Sequence, residues 1–185
     1  TLNGNTLAAN YEITKVEGTL TVTAITTKIV ITAASDSKKY DGTPLTNAGY
    51  TYTQNVLATG DTLAAVVAGP ITNVGTADNV VTSYKVMRGS TDVTANYTFG
   101  ASVKGALTIT KRAVTLTSAT DSKVYDGTAL TNNTVTVTGD GFATGEGATY
   151  DVTGTQTDVG NSPNAFTYTL NGNTLAANYE ITKVE

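Results

Sequence analysis

The sequence predicts an all-β protein built from tandem modules, and its composition and residue patterning support this prediction. Threonine makes up about a fifth of the 185 residues, and ten tyrosines stand against three phenylalanines. Thr, Val and Tyr favour strands, whereas the frequent Gly, Asn and Asp favour turns. Apolar residues alternate with threonine in several segments, and helix formers cluster nowhere at a 3.6-residue period. Small β-sandwich modules of immunoglobulin-like type are the architecture that this pattern favours.

The predicted strands follow from this alternation. In segment 113–120, Val114 and Leu116 point one way while threonines point the other. Other segments repeat the pattern, and their predicted inward residues are Val135 and Val137; Val80, Tyr84 and Val86; Phe166, Tyr168 and Leu170; Tyr97 and Phe99; Leu107 and Ile109; Tyr11 and Ile13; and Leu20 and Val22. One apolar and one threonine-rich face are typical of antiparallel sheet with one solvated side. The alternative is a β-grasp-like fold, whose helix would have to come from 62–69, a segment that reads as easily as a strand.

An identical 17-residue block occurs at both ends of the chain. Residues 1–17 and 169–185 both read TLNGNTLAANYEITKVE, at an offset of 168 positions. Exact repetition at a fixed offset is typical of a tandem array. If the array continues past Glu185, we expect the next residues to read close to G-T-L-T-V-T, which is the sequence of 18–23.

A shorter repeat divides the 168-residue unit. Segment 31–47 aligns with 116–132 at an offset of 85 positions, which is within the usual size range of a domain. On this register, residues 1–24 are the C-terminal strands of a preceding module and residues 25–110 form a complete β-module. Residues 111–185 form a second β-module that lacks its final strand. We call the last two ranges the first and second module.

A turn motif, Y-D-G-T, occurs once in each module, and its residues are Tyr40, Asp41 and Gly42 in the first and Tyr125, Asp126 and Gly127 in the second. We interpret the motif as structural, because Gly accepts a positive φ and Asp caps its own backbone. The tyrosine ring is expected to cover a sheet edge while its hydroxyl stays hydrated. A ligand-contacting loop repeated along the array is the alternative.

Three further patterns invite a chemical role. Asp36, Asp41, Asp121 and Asp126 suggest calcium, but two aspartates per module without a D-x-D-x-D-G loop favour turn capping. Lys38 with Asn96, and Lys123 with Asn178, suggest an isopeptide cross-link. That reaction needs a desolvated, neutral lysine, and the polar turn around Lys38 favours a solvated one. The dibasic pair Lys111-Arg112 is interpreted as an exposed inter-module linker.

Composition argues against several classes of function. The net charge is −4 and no basic cluster occurs, which argues against nucleic acid and anionic membrane as partners. No apolar run approaches the ~18–20 residues that span a bilayer. The chain has no cysteine and no histidine, so it lacks disulfides, thiolate metal ligands and the commonest nucleophile–base pair. We expect no enzyme activity, and no catalytic, cofactor-binding or metal-binding residue.

Several spaced motifs together resemble a known family. They are S-K-x-Y-D-G-T-x-L-T at 37–46 and 122–131, then V-G, then A-N-Y, and finally G-x-L-T-[VI]-T. This combination resembles the MBG-type and related Ig-like repeats of large bacterial cell-surface proteins, over essentially the whole chain. The resemblance implies a secreted adhesin or stalk region, extracellular and attached to the cell wall or envelope. The family brings no catalytic residues.

The leading functional hypothesis is therefore a structural repeat segment of a long, surface-attached filament or adhesin stalk that projects a distal functional region. Its expected partners are neighbouring modules of the same array, packed head to tail. In the alternative, each module binds a host mucin glycan or matrix protein and the array acts by avidity. A further alternative is a homo-filament, in which G-T-L-T-V-T of one molecule completes the sheet of another by strand addition.

Overall fold

A computed structural model describes residues 3–5 and 7–185, with only the backbone described for Ala8. The prediction of an all-β class is confirmed, since regular structure in this described part consists of strands and three short 3₁₀ helices. The helices are Ala8–Asn10, Thr94–Asn96 and Ala176–Asn178. The strands are β1 (Ile25–Ile29), β2 (Ile31–Ala33), β3 (Asp36–Lys39), β4 (Tyr50–Tyr52), β5 (Asp61–Ala68), β6 (Gly75–Arg88), β7 (Thr91–Asp92), β8 (Tyr97–Phe99), β9 (Gly105–Thr110), β10 (Arg112–Ser118), β11 (Val135–Gly139), β12 (Ala148–Val152), β13 (Phe166–Leu170) and β14 (Tyr179–Val184).

The first module contains two groups of paired strands. In one group, β2 pairs antiparallel with β4, and β1 pairs parallel with β8. Only Val30 separates β1 from β2, so one continuous segment of chain contributes a strand to each of the two pairs. In the other, the strand order is β3-β9-β6-β5, and β7 adds to β6. Strand β9 therefore lies between two neighbours, parallel to β3 and antiparallel to β6.

The second module repeats part of this arrangement. Strand β10 lies between β11, its antiparallel neighbour, and β14, its parallel neighbour. Strands β12 and β13 form a separate antiparallel pair. The expectation of antiparallel sheet is wrong for β1–β8, β3–β9 and β10–β14, which are parallel pairs. Each parallel pair joins strands from the beginning and the end of a module, and the long intervening chain supplies the crossover that parallel pairing needs.

Two apolar clusters form the core. One lies within the first module and contains the buried residues Ile29, Ile31, Leu63, Val86 and Tyr97. The other continues from the first module into the second, and its buried residues are Tyr40, Leu45, Leu107, Ile109, Val114, Leu116, Ala143, Phe166 and Tyr179. A core shared by both modules means that burial at this point depends on both of them.

Fewer than half of the predicted inward residues are buried, and along β6 the predicted alternation of inward and outward residues fails partway. Val86 is buried and Tyr84 stacks on Phe99 with ring centroids 4.2 Å apart, yet Val81, rather than Val80, packs against the cluster. The register with β5 shifts at this point, because Ser83 and Val81 pair with consecutive residues of β5 and Thr82 is extra. A bulge of this kind reverses which side chains face inward. Val137 and Tyr168 are also more exposed than predicted.

A β-grasp fold would need a helix in segment 62–69, but this segment is strand as far as Ala68. Residues 11–24, where closing strands were predicted, form no strand, and Tyr11, Ile13, Leu20 and Val22 are exposed. The identical sequence Y-E-I-T-K-V forms β14 at 179–184, because β10 lies beside it there. No helix in the described part of the chain is long and apolar enough to cross a membrane.

Candidate functional site: the junction between the modules

The Y-D-G-T turn of the first module is held by its own side chains. Lys38 Nζ donates to Asp41 Oδ1 at 2.7 Å and to Thr43 Oγ1 at 2.6 Å. The same Asp41 oxygen accepts the Thr43 backbone N–H at 2.9 Å. Gly42 has φ +82°, a conformation in which only glycine is free of strain. The bonds from Lys38 and Thr43 hold the pKa of Asp41 well below its usual value.

The second copy of the turn has the same internal geometry. Lys123 Nζ lies 2.8 Å from Asp126 Oδ1 and 2.7 Å from Thr128 Oγ1, and Gly127 has φ +77°. The bonds from Lys123 and Thr128 lower the pKa of Asp126 as well. The turn is therefore a local structure that forms in either environment.

The tyrosines of the two turns differ in environment. Tyr40 is only 4% exposed, whereas Tyr125 is 60% exposed. The hydroxyl of Tyr40 donates to Glu146 Oε1 at 2.5 Å, and its ring meets that of Tyr179 edge to face at 5.5 Å. Both partners belong to the second module. The expectation of a hydrated hydroxyl is wrong for Tyr40, because the next module covers the ring.

Tyr179 and Glu146 are the residues of the second module that contact Tyr40, and we call them its receiving site. The Tyr179 hydroxyl donates to Glu146 Oε2 at 2.7 Å and accepts the Ala143 backbone N–H at 3.0 Å. Glu146 thus binds two tyrosines, one from each module. Burial, reinforced by Glu146, raises the pKa of Tyr179 to about 12 and raises that of Tyr40 as well.

A buried amide makes the second contact across the junction. Asn178 is 1% exposed. Its Oδ1 accepts the backbone N–H of Val74 at 2.9 Å, and its Nδ2 donates to Asn73 Oδ1 at 3.0 Å. Asn96, which occupies the corresponding A-N-Y position in the first module, is exposed. The repeated asparagine is therefore buried at 178, where it bonds to the first module, and exposed at 96.

Arg112 and Asp140 make the third contact. Arg112 is half-buried, and its guanidinium donates to the carbonyls of Asp140, of Gly141 at 2.7 Å and of Tyr40 at 3.4 Å. Lys39 of the first module pairs with the Asp140 carboxylate at 2.7 Å. The interpretation of the dibasic pair as an exposed linker is thus wrong for Arg112, which begins β10 and binds both modules.

The first module has a similar receiving site at its own far end. The Tyr97 hydroxyl donates to Asp61 Oδ2 at 2.5 Å and accepts the Ala58 N–H at 2.9 Å. Arg88 binds Asp61 through two bonds of 2.6 and 3.0 Å, at the carboxylate that corresponds to Glu146. Burial and Asp61 raise the pKa of Tyr97, while Arg88 and Tyr97 lower that of Asp61.

The residues considered for an isopeptide link or for calcium make other bonds. Neither Lys38 nor Lys123 bonds to the asparagine proposed for an isopeptide link, because each ammonium binds its own turn aspartate. Asp36 and Asp121 each accept the next residue's N–H at 2.8 Å and an asparagine amide, from Asn47 at 3.3 Å and from Asn132 at 3.2 Å. Within residues 3–5 and 7–185, no group of three His, Cys, Asp or Glu side chains comes together.

No protein-family model, no curated protein and no solved structure matches the chain. The junction is therefore interpreted from its own geometry. The repetition in the sequence singled out Tyr40 and Asn178, but Glu146 was missed. The two carboxylates at 61 and 146 occupy similar positions after the two Ala-Thr-Gly segments, which is the signal that could have identified them.

Proposed function

We propose that this chain is a structural repeat segment of a long, secreted, surface-attached bacterial filament or adhesin stalk, which holds a distal functional region away from the cell. The proposal agrees with the resemblance to MBG-type repeats and places the chain outside the cell, attached to the wall or envelope. Its task is mechanical, so the residues that matter are those that fix one module against the next.

The inter-module junction is the observation that carries this proposal. Three separate contacts cross it, and they centre on Glu146, Asn178 and Asp140. Buried hydrogen bonds to a charged group contribute more than bonds between neutral groups, and leaving one partner unpaired is costly. A junction with this chemistry resists bending, which is what a stalk needs and a flexible linker lacks.

We further propose that each module is an Ig-like β-sandwich of about 85 residues. Two groups of paired strands around an apolar cluster support this assignment, as does the module length. A sandwich of this size is roughly 35–45 Å long, from about ten residues of strand at ~3.3 Å each plus turns. Modules fixed end to end would then add this length with every copy.

The test is the contour length of chains that carry one, two and four copies of the 168-residue unit, measured by electron microscopy of single molecules. A stalk predicts straight particles whose length rises in proportion to copy number. Particles that collapse or bend freely at every junction would contradict it. The same chains applied to immobilised mucin distinguish the rival function, because adhesive modules predict binding that strengthens steeply with copy number.

A further inference from the structure

The opening and closing segments of the first module run side by side in the same direction. Strand β1 pairs in parallel with β8, and β3 pairs in parallel with β9. A parallel bridge between Thr32 and Val103 lies between these two pairs. Residues 25–39 therefore follow residues 97–110 over nearly their whole length, and we call this arrangement the terminal pairing.

Backbone hydrogen bonds cross the terminal pairing from one end to the other. Besides the bonds within the strand pairs, four more join the two segments. They run from Gly100 N–H to Ile29 O at 2.9 Å, from Val103 N–H to Ile31 O at 2.8 Å, from Ala33 N–H to Val103 O at 2.9 Å and from Tyr40 N–H to Thr110 O at 2.9 Å. The beginning of the module is thus bonded directly to its end.

We propose that the terminal pairing is a mechanical clamp, which lets the first module carry tension along the chain without unfolding. Tension pulls the opening segment backward and the closing segment forward, so that two parallel strands are drawn past each other along their length. The bonds between them are then loaded together, because the bonds of a parallel pair are evenly spaced along the strands. This inference rests on the proposed stalk, since tension reaches a module only when the chain is held at both ends.

The rest of the first module lies outside the covalent path of this tension. Residues 41–96 connect the two paired segments, so the pulled backbone does not run through them while the pairing holds. They include the antiparallel hairpin of β5 and β6. A hairpin pulled from its open end separates one bond at a time, and the terminal pairing keeps tension away from it.

Burial strengthens the clamp. Ile29 and Ile31 of the opening segment are 0% and 1% exposed, and Leu107 and Ile109 of the closing segment are 0% and 1% exposed. Water replaces the partner of an exposed backbone bond as the bond opens, which lowers the cost of breaking it. A slip by one residue would also turn the apolar side chains of the moving strand away from the core. The clamp therefore resists sliding through both hydrogen bonds and packing.

Tension passes from this clamp to the second module through a single residue. Lys111 alone separates β9 from β10. Strand β10 pairs in parallel with β14, in unbroken register from the pair Arg112 and Tyr179 to the pair Thr117 and Val184. The second module thus begins with the same kind of parallel pair, and almost no free chain lies between the two pairs to be stretched.

The dependence of the unfolding force on pulling direction tests the clamp. Optical tweezers pull the full chain through DNA handles, which the absence of cysteine in the parent allows at chosen residues. One protein carries Thr23→Cys, Lys39→Ser and Lys111→Cys, so its handles lie outside β1 and β9 and load the pairing along its strands. We expect one step at high force, which releases about 300 Å of chain at ~3.6 Å per residue.

The matched control carries Thr23→Ser, Lys39→Cys and Lys111→Cys. Lys39 lies opposite Thr110 in the β3–β9 register, so these handles lie at the same end of the pair and separate its bonds one after another. The three substituted residues are exposed, and both proteins lack the ion pair of Lys39 with Asp140. We expect the first protein to need a several-fold higher force than the control. Equal forces, or a lower force in the first protein, would overturn the proposal.

Val103→Pro, introduced into both proteins, separates loss of the clamp from a general loss of stability. Proline has no N–H, so the bond to Ile31 O is lost, while the side chain at 103 is 49% exposed and outside the core. This bond lies in the middle of the pairing. We expect a lower force in the first protein and an unchanged force in the control, whose first bonds to break lie near Thr110. An equal fall in both proteins, or a fall in neither, would overturn the proposal.

Failure of the clamp and failure of the stalk give different results. Equal forces in the two pulling directions would overturn the clamp, whereas straight particles whose length rises with copy number would still support the stalk. Particles that bend freely at every junction would overturn the stalk, and the forces measured within the first module would not change.

Discussion

The two Y-D-G-T turns have nearly the same internal geometry and opposite surroundings. Both turns hold their lysine, aspartate and threonine within 2.6–2.9 Å. Tyr40 is nevertheless buried against the following module, while Tyr125 is exposed. The turn therefore depends on its own side chains, whereas the burial of its tyrosine depends on the junction.

The same distinction applies to other repeated residues. Asn178 is buried because the first module precedes it, and Asn96 is exposed. Leu107 is buried within a sheet, and Leu20, in the same sequence pattern, is exposed. Repetition in sequence thus specifies what a residue can bind, and the neighbouring module decides whether it does. Matched substitutions at corresponding positions of the two modules test this distinction.

The largest difference is expected between Leu107→Ala and Leu20→Ala. Truncating the fully buried Leu107 leaves a cavity and should lower the unfolding free energy of the chain by up to about 5 kcal/mol. The same change at the exposed Leu20 should stay within about 0.5 kcal/mol. Chemical denaturation of dilute protein measures both, and similar losses would mean that residues 18–23 are already packed.

The stability costs of Tyr40→Ala and Tyr125→Ala compare the two turns directly. Removing Tyr40 deletes a buried ring and a hydrogen bond to Glu146, and should cost about 3 kcal/mol. Removing the exposed Tyr125 should cost less than about 0.5 kcal/mol. Thermal or chemical unfolding followed separately in each module measures the effect. Equal costs would show that the tyrosine acts within its own module.

The stability costs of Asn178→Ala and Asn96→Ala test the contribution of the buried amide. Without Asn178 the Val74 N–H and Asn73 lose their partner, and an unsatisfied buried group costs about 1–3 kcal/mol. Asn96 is exposed, so its replacement should change stability by less than about 0.5 kcal/mol. The measurement is again chemical denaturation, supported by faster amide hydrogen exchange at Val74 in the first variant alone.

The pH dependence of the unfolding free energy tests how Tyr179 contributes to stability. Burial raises the pKa of Tyr179 to about 12, and the ordinary value near 10 applies when the chain unfolds. The folded state holds the neutral phenol, so its contribution is complete below about pH 10 and is lost as the pH rises toward 12. Tyr179→Phe should make this alkaline fall in unfolding free energy shallower than in the control Tyr125→Phe. An unchanged fall would exclude Tyr179 as its source.

The smallest difference is expected between the pKa values of the two turn aspartates, Asp41 and Asp126. Local lysine and threonine donors lower the pKa of both Asp41 and Asp126. Each therefore adds stability above its ordinary pKa, and the contribution disappears as the pH falls through the lowered value. Carboxyl titration by NMR should give the two residues closely similar pKa values. A clear difference would mean that the junction, rather than the turn alone, controls Asp41.

Local features of this molecule were predictable from its sequence, and junction features were not. Asp-Gly turns and the inward pair Leu107 and Ile109 depend on neighbours in sequence and follow from turn chemistry and alternation. The burial of Tyr40 was not predictable, because the same motif around Tyr125 is exposed. The bulge at Thr82 shifted a predicted strand face, since register depends on the partner strand.

Residual dipolar couplings of backbone amides measure whether the second module is rigidly attached to the first. We expect couplings from residues 25–110 and 111–185 to fit one common alignment tensor, and Glu146→Ala to weaken this agreement. Two independent tensors in the parent chain would contradict it, because the modules would then move separately despite the contacts of Tyr40, Asn178 and Asp140.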